Sequence, residues 1–401
     1  MLQKQRKRVY DEIHGFIELN NVELEIIDTP SFQRLRRIKQ LSVAYLVYPA
    51  ATHTRFSHSL GTMYLMGRIS THLYRLGYID DQGDIEILRI AALLHDIGHP
   101  PYSHTIEAYY TKKNVSHEEL TSYLLLNDPY IPSILEKHGV DPKEITSLIR
   151  GRHKNPLYNY LLSSDLDVDR MDYLRRDSAH TGVAYGLIDI DRLIDTMIVD
   201  KENNIAILDK GLQSVESFYI ARLHMYQAVY YHKTITAYEL LLEEIYSRLV
   251  EEVDELRPYS DPSYIRELID NGEYAYWDDN WLHSHIVRCA KSPGDNCDKK
   301  TSELAKRYLF RKGPKLVLDL SSFTDNPYLE EQYSRKLEEV LEELKSTSRN
   351  YYVIVNPIMI IDEESLRIYK SGTSIPITDR RVNSIIGYLP KYYIVARLYT
   401  L

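Results

Sequence analysis

Over the first 250 residues the alternation of apolar and polar positions follows the helical period. The clearest case is the set Leu88, Ala91, Ala92, His95 and His99, which falls on one side of a helix expected to begin with Asp84 as N-cap and to run to about Ile97. Gly98 and the Pro100-Pro101 pair then stop it. A second helix is expected from Phe56 to about Leu76, ending at Gly77, and a third from about Leu157 to Asp177. Segments 212–232 and 236–255 also have a helical pattern. The character changes after about Pro258. Residues 271–300 are rich in Gly, Asn, Asp and Pro and read as loop, whereas Tyr351–Ile361 and Lys391–Tyr399 have the β-branched and aromatic composition of strands. The expected architecture is mainly α: a helical core over residues 1–257, then a C-terminal mixed α/β appendage over 258–401 expected to serve oligomerisation or regulation.

Composition changes this picture little. The 401 residues are 44% hydrophobic and 27% charged, as in a globular protein. No apolar run approaches the roughly 18–20 residues needed to cross a bilayer, so no membrane partner is expected. The basic start MLQKQRKRVY lacks the apolar stretch of a secretory signal. Two cysteines make no disulfide framework, and together these features point to the cytoplasm. His283, His285, Cys289 and Cys297 are zinc-compatible residue types, but their spacing matches no structural zinc pattern; the expected reading is a loop-rich segment with two free thiols. A net charge of −9 argues against a broad grip on nucleic acid. Phosphate handling would require local cations, and Arg34, Arg36, Arg37 and Lys39 are one concentration, Arg170, Arg175 and Arg176 another.

The strongest chemical signal is the run His95-Asp96-Ile97-Gly98-His99-Pro100-Pro101-Tyr102-Ser103-His104. His95 and Asp96 can reach one ion lying over a helix end, and His58 and Asp169, from two other predicted helices, could complete the set. Two imidazoles and two carboxylates suit Fe, Mn, Zn or Ni, with Mg2+ admitted beside substrate phosphates. His99, His104, Glu107 and His117 follow closely. So many polar groups at the end of an apolar helix are costly unless they coordinate or hydrogen-bond something. On the third predicted helix, Asp165, Asp169, Tyr173 and Asp177 recur every four residues, with Asp172 beside them. Like charges at that spacing repel, and a cation or sugar hydroxyls would relieve them.

Several segments together resemble the HD-domain deoxynucleoside triphosphate triphosphohydrolases. They are Ile13-His14-Gly15, Asp28 to Arg36, Ile38-Lys39-Gln40-Leu41, Thr54 to Gly61, His95 to His104, Asp167 to Tyr173, and Tyr230-Tyr231-His232-Lys233. They occur in family order over roughly residues 7–240. The resemblance implies an HD-domain helical core, a metal held by His58, His95, Asp96 and Asp169, and acid–base work by His104 supported by Glu107 and His117. It implies phosphate contacts from Arg55, Arg170 and His99, and a sugar site of Gln40, Leu41, Tyr173, Asp177 and Tyr230. It further implies deoxynucleoside triphosphates as partners and a homo-oligomer, dimer or tetramer. A guanine-nucleotide activator is implied at an interface site of Lys7, Asp28, Gln33 and Arg36, with Lys210 and Lys233 at a neighbouring nucleotide. The pattern is broken in places. Glu12 replaces the Pro of the family's Asp-Pro-Ile-His-Gly signature, Tyr231 stands where vertebrate members have a Gln, and Leu208 where they have an Arg. The competing readings are an HD-domain phosphodiesterase or phosphohydrolase acting on a cyclic dinucleotide, an alarmone, a monophosphate or nucleic-acid ends, and a non-catalytic nucleotide sensor.

Overall fold

The computed structural model describes residues 7–294, 297–344, 350–362 and 366–401. Its centre is the helix Arg55–Arg75, buried on most sides and packed between the helices Gln82–Leu94 and Val168–Thr181. A helix enclosed in this way must be apolar or small almost all round. This one buries Leu60, Met63, Met66 and Ile69 together with Gly61, Ser59 and Thr62. Gly77, at φ +79°, follows its C-terminus as the sequence pattern predicts.

Two helix boundaries differ from expectation, both for capping reasons. The helix expected from Asp84 to Ile97 spans Gln82–Leu94. Its N-cap is Asp81, whose carboxylate accepts the Gly83 N–H, which leaves Asp84 inside the first turn. The helix expected from Leu157 to Asp177 is two helices, Pro156–Leu162 and Val168–Thr181. Asp167 divides them: its side chain accepts the Arg170 N–H at 2.7 Å and the Ser164 N–H at 3.0 Å. The break turns the second helix so that its first residues, Asp169 and Arg170, line a cavity.

Segment 271–300 is not mainly loop. It contains the helix Asp279–Lys291, capped by Asp278. Cys289, on that helix, and Cys297 are joined by a disulfide across a Cα–Cα distance of 5.5 Å, so the expectation of two free thiols is corrected. His285 stacks edge-on against Trp281 on the same helix. The main hydrophobic core runs from Ile17 to Val395 and crosses residue 257 without interruption. Helices Pro262–Asp270, Asp279–Lys291 and Lys299–Leu309 thus belong to it.

The expected late strands are present as Tyr351–Met359 and Tyr392–Thr400, paired antiparallel over their full lengths. Side chains on the last strand alternate as the pleat requires. Tyr393 and Val395 face the main core, while Ile394, Ala396 and Leu398 face Leu337 of the helix Leu329–Leu344. On the core face, Arg397 donates to the Tyr231 carbonyl and Tyr399 to the Lys233 carbonyl. A separate sheet joins Ile205–Leu208 in parallel to Arg367–Lys370. No helix among the described residues is long and apolar enough to cross a membrane.

Candidate active site

Three elements converge on one point. His58 comes from the first turn of Arg55–Arg75, His95 and Asp96 follow the end of Gln82–Leu94, and Asp169 comes from the first turn of Val168–Thr181. Asp169 Oδ1 lies 2.9 Å from His58 Nε2 and 3.6 Å from His95 Nε2; Asp96 lies 3.6 and 3.4 Å from the same two nitrogens. Both Nε2 atoms are buried and make no hydrogen bond of acceptable geometry. Their opposite ring nitrogens are committed: Nδ1–H of His58 donates to Asp172 Oδ2 at 2.8 Å, and Nδ1–H of His95 to the Ala92 carbonyl at 2.8 Å. That tautomer points two lone pairs at two carboxylates, an arrangement that wants a cation between them. The titration of His58 reports the same demand. Burial alone would lower its pKa, yet Asp169 and Asp172 raise it to about 10. Two imidazoles and two carboxylates therefore fit a divalent metal.

The surrounding network fixes this geometry. Asp172 is fully buried and also accepts from His14 Nε2 at 2.7 Å and from Arg176 at 2.8 and 3.0 Å. Burial opposes its charge, but Arg176 and the two histidines hold it well below the usual carboxylate range. Gly61 is required here, because a Cβ at that position would run into the Asp172 carboxylate. Arg176 reaches on to Asp11 and to Glu12, and Glu12 also accepts from His180. The departure at Glu12 is thus an added anchor of the same network. The acids from Asp165 to Asp177 do not form a single solvated stripe. Asp165, in the break before the helix, pairs with Arg222, Asp169 with His58 and His95, Asp172 with His58, and Asp177 with His53 and Tyr230.

Beside the metal-compatible cluster lies a second group. Glu107 accepts from His104 Nδ1 at 2.7 Å, and from the ring and backbone of His117 at 2.6 and 2.7 Å. Burial would raise the Glu107 pKa, but both histidines hold it far below its usual range. His104 is left with Nε2 toward solvent, its side chain 69% exposed. His99 is stacked on His117 at 3.9 Å, and burial and Arg55 push its pKa well down, so it is neutral. The backbone entering His104 is unusual: Tyr102 and Ser103 both have positive φ, 55° and 53°. Non-glycine residues adopt this region only when held there. Asp279 holds them by accepting the Tyr102 N–H at 2.7 Å and, across the cleft, the Lys39 N–H at 3.0 Å. Arg55 donates to the Ser103 hydroxyl at 2.8 Å and to Asp96.

Gln40, Leu41, Arg55, Arg170, Tyr173, Asp177 and Tyr230 line one cavity of about 530 Å³, and His99 lines an adjoining one that also contains His95, Asp96 and His117. Arg170 is partly engaged, donating to Asp167 and to the Ser164 carbonyl. A single π-turn, Tyr226–Tyr230, presents Tyr226 and Tyr230 to the larger cavity. Tyr173 and Tyr230 meet edge to face at 5.8 Å, and Tyr230 donates to Asp177 at 2.9 Å. His53 holds the other Asp177 oxygen at 2.8 Å.

The residues expected at an activator site are not gathered in this way. Gln33 donates to the Ile27 carbonyl and accepts from Arg36, which lies over the Phe56 ring at 3.5 Å. Asp28 is exposed at a helix C-cap, while Thr29 caps Pro30–Gln33. Among the described residues, no hydrogen bond or ion pair joins Lys7, Asp28, Lys210 and Lys233 to one another. Sequence reasoning missed His53 and Asp279, placed His14 in a motif without a role, and read Arg176 as a phosphate-handling cation, whereas it is buried against Asp172 and Asp11. His53 lies beside the Thr54–Gly61 motif; Asp279 is separated from the residues it tethers by more than 170 positions and carried no local signal.

Residues 55–177 match the HD domain family, and residues 188–357 match the HD-associated region. An uncharacterized protein of Methanocaldococcus jannaschii is 38% identical over 255 residues, covering 61% of this chain and 50% of that protein. A Dictyostelium discoideum homolog of a deoxynucleoside triphosphate triphosphohydrolase is 31% identical over 318 residues, 72% of this chain and 56% of its own. The human deoxynucleoside triphosphate triphosphohydrolase is 32% identical over 266 residues, 57% and 42% respectively. The chain thus spans about half the length of the curated relatives it matches. The crystal structure of a phosphohydrolase from Bacteroides thetaiotaomicron superposes with a TM-score of 0.78 at 28% identity, covering 99% of each chain. The matched segment contains the whole cluster of His58, His95, Asp96 and Asp169, and the chain is an HD-domain protein.

Proposed function

We propose that the protein hydrolyses deoxynucleoside triphosphates to deoxynucleoside and inorganic triphosphate. The observation that carries this reading is the tyrosine-walled cavity of about 530 Å³ that opens directly onto the metal-compatible cluster and His104. Its volume falls within the range of small-molecule sites. Names borne by relatives agree with it. His58, His95, Asp96 and Asp169 would hold the metal, which supplies Lewis acidity and an activated water at the α-phosphorus. Arg55 and Arg170 bind phosphate oxygens, and His99, neutral and buried, adds a hydrogen bond. His104, oriented by Glu107, gives its Nε2 proton to the departing 5′-oxygen, and the bond between that oxygen and the α-phosphorus breaks. Asp177, fixed by His53 and Tyr230, accepts from the sugar 3′-hydroxyl. The edge-to-face Tyr173 and Tyr230 rings pack against the 2′-carbon, where a ribose hydroxyl would be desolvated without a partner.

Guanine-nucleotide activation and assembly belong to the same reading. An exposed carboxylate such as Asp28 accepts from the N1 and N2 edge of guanine, and Arg36 and Lys7 would take its phosphates at a subunit interface. The C-terminal region would serve that assembly or its regulation. Purified protein tested against dNTPs, NTPs, cyclic dinucleotides and monophosphates, with and without GTP, decides between the readings. Triphosphate release from dNTPs alone, faster with GTP and accompanied by a larger sedimentation coefficient, is expected. Cleavage confined to a cyclic dinucleotide or a monophosphate would overturn the dNTP assignment; an identical rate and size without GTP would remove the activator.

A further inference from the structure

The cavity wall contains one carboxyl group that the proposed chemistry leaves unused. Glu239, on the helix Lys233–Glu252, faces the same space as Tyr230 and Tyr231. The metal side and the nucleoside side of the cleft can be told apart. The adjoining cavity that contains His95, Asp96 and His117 shares Gln40, Arg55, His104, Asp169, Arg170 and Tyr173 with the larger one. Glu239 lines only the larger one, together with Ser42, Asp177 and Val229. With phosphates at the metal and the sugar at Asp177, what remains for Glu239 is the base.

The group is also poorly satisfied. Its protein partner is the Thr105 hydroxyl, which in turn lies 2.7 Å from the Ser42 hydroxyl. Among the described residues no Lys, Arg or His forms an ion pair with it. Burial pushes its pKa up to about 7. A carboxylate offers about four acceptor positions, so a half-buried Glu239 with one protein donor keeps positions for donors on a ligand in the cavity.

From this placement we infer that Glu239 reads the base of the substrate, favouring bases that present amino donors and guanine above all. This rests on the deoxynucleoside triphosphate reading given above. The chemistry follows from donor and acceptor patterns. A carboxylate only accepts. Guanine presents N1–H and N2–H side by side, which two carboxylate oxygens can take together. Adenine and cytosine offer one amino group beside an unprotonated ring nitrogen. Thymine presents a single N3–H between two carbonyls, so one of them faces the carboxylate. A Glu239→Gln side chain has the same shape but can donate, which removes the penalty on thymine and one of the two contacts to guanine.

The test is kcat/KM for the four dNTPs at about pH 8, where the carboxylate form prevails, in wild type, Glu239→Gln and Glu239→Ala, together with equilibrium binding of each dNTP. The ratio of dGTP to dTTP should exceed unity in wild type and fall about 10-fold in Glu239→Gln, as expected for loss of a paired base contact. Glu239→Ala should flatten the preference without favouring thymine. Because the ratio is taken within one protein, a variant that folds poorly still reports it. If Glu239 is only a tether between the helices Lys233–Glu252 and His104–Thr111, all four dNTPs change by one factor, and base reading is overturned while dNTP hydrolysis stands. If wild type neither binds nor cleaves any dNTP, the underlying substrate assignment fails and base reading fails with it.

Discussion

At the scale of single residues, the proposed chemistry separates groups that would hold charge from one that would move a proton. His58 and His95 present Nε2 lone pairs to Asp96 and Asp169, whereas His104 is held through Nδ1 by Glu107 and is otherwise exposed. The division predicts different fates for substitutions a few ångströms apart. His104→Ala should retain its metal in elemental analysis and lose about 10²–10⁴-fold in turnover, the usual worth of a positioned general acid. Loss of metal from that variant in proportion to activity would make His104 a ligand. The ligand candidates were legible in the sequence because His95-Asp96 and the acidic repeat around Asp169 are local patterns. Which acid does what was not legible. Asp165, Asp169, Asp172 and Asp177 look alike along the sequence, and only the packing of His14, His53, His95 and Arg222 against them tells them apart.

At the scale of elements, function depends on where helices stop. The sequence pattern identified the Phe56–Leu76 region correctly, since a long buried helix ends at a glycine. It merged the two helices divided at Asp167, because apolar spacing continues through the break and the capping carboxylate is one Asp among several. It also read 271–300 as loop on composition, although Asp278 caps a helix there that supplies Asp279. That residue ties the segment at Lys39 and the Tyr102–Ser103 turn together, and it sets the entry to His104. Each buried N–H that loses its acceptor costs about 1–3 kcal/mol. Asp279→Ala should therefore lower Tm and reduce kcat while leaving metal content intact, and Asp279→Asn, which keeps an acceptor oxygen, should recover part of both. An alanine variant with unchanged kcat at a temperature where it is folded would show that the turn holds itself.

At the scale of the molecule, the C-terminal strands are continuous with the site. Arg397 and Tyr399 bond the backbone at Tyr231 and Lys233, directly behind the tyrosines that wall the cavity, and the core passes through the expected division at residue 257. Composition showed where strands begin but not what they support, since pairing between residues as distant as Ala206 and Arg367 leaves no local trace. The central claim is that this assembly cleaves between the 5′-oxygen and the α-phosphorus of a deoxynucleoside triphosphate. Its most direct test is the product of dNTP turnover in H₂¹⁸O, read by ³¹P NMR and mass spectrometry. The account predicts deoxynucleoside and intact triphosphate in equal amounts, with the heavy oxygen in the triphosphate. Pyrophosphate with a deoxynucleoside monophosphate, or label in the nucleoside, would contradict it.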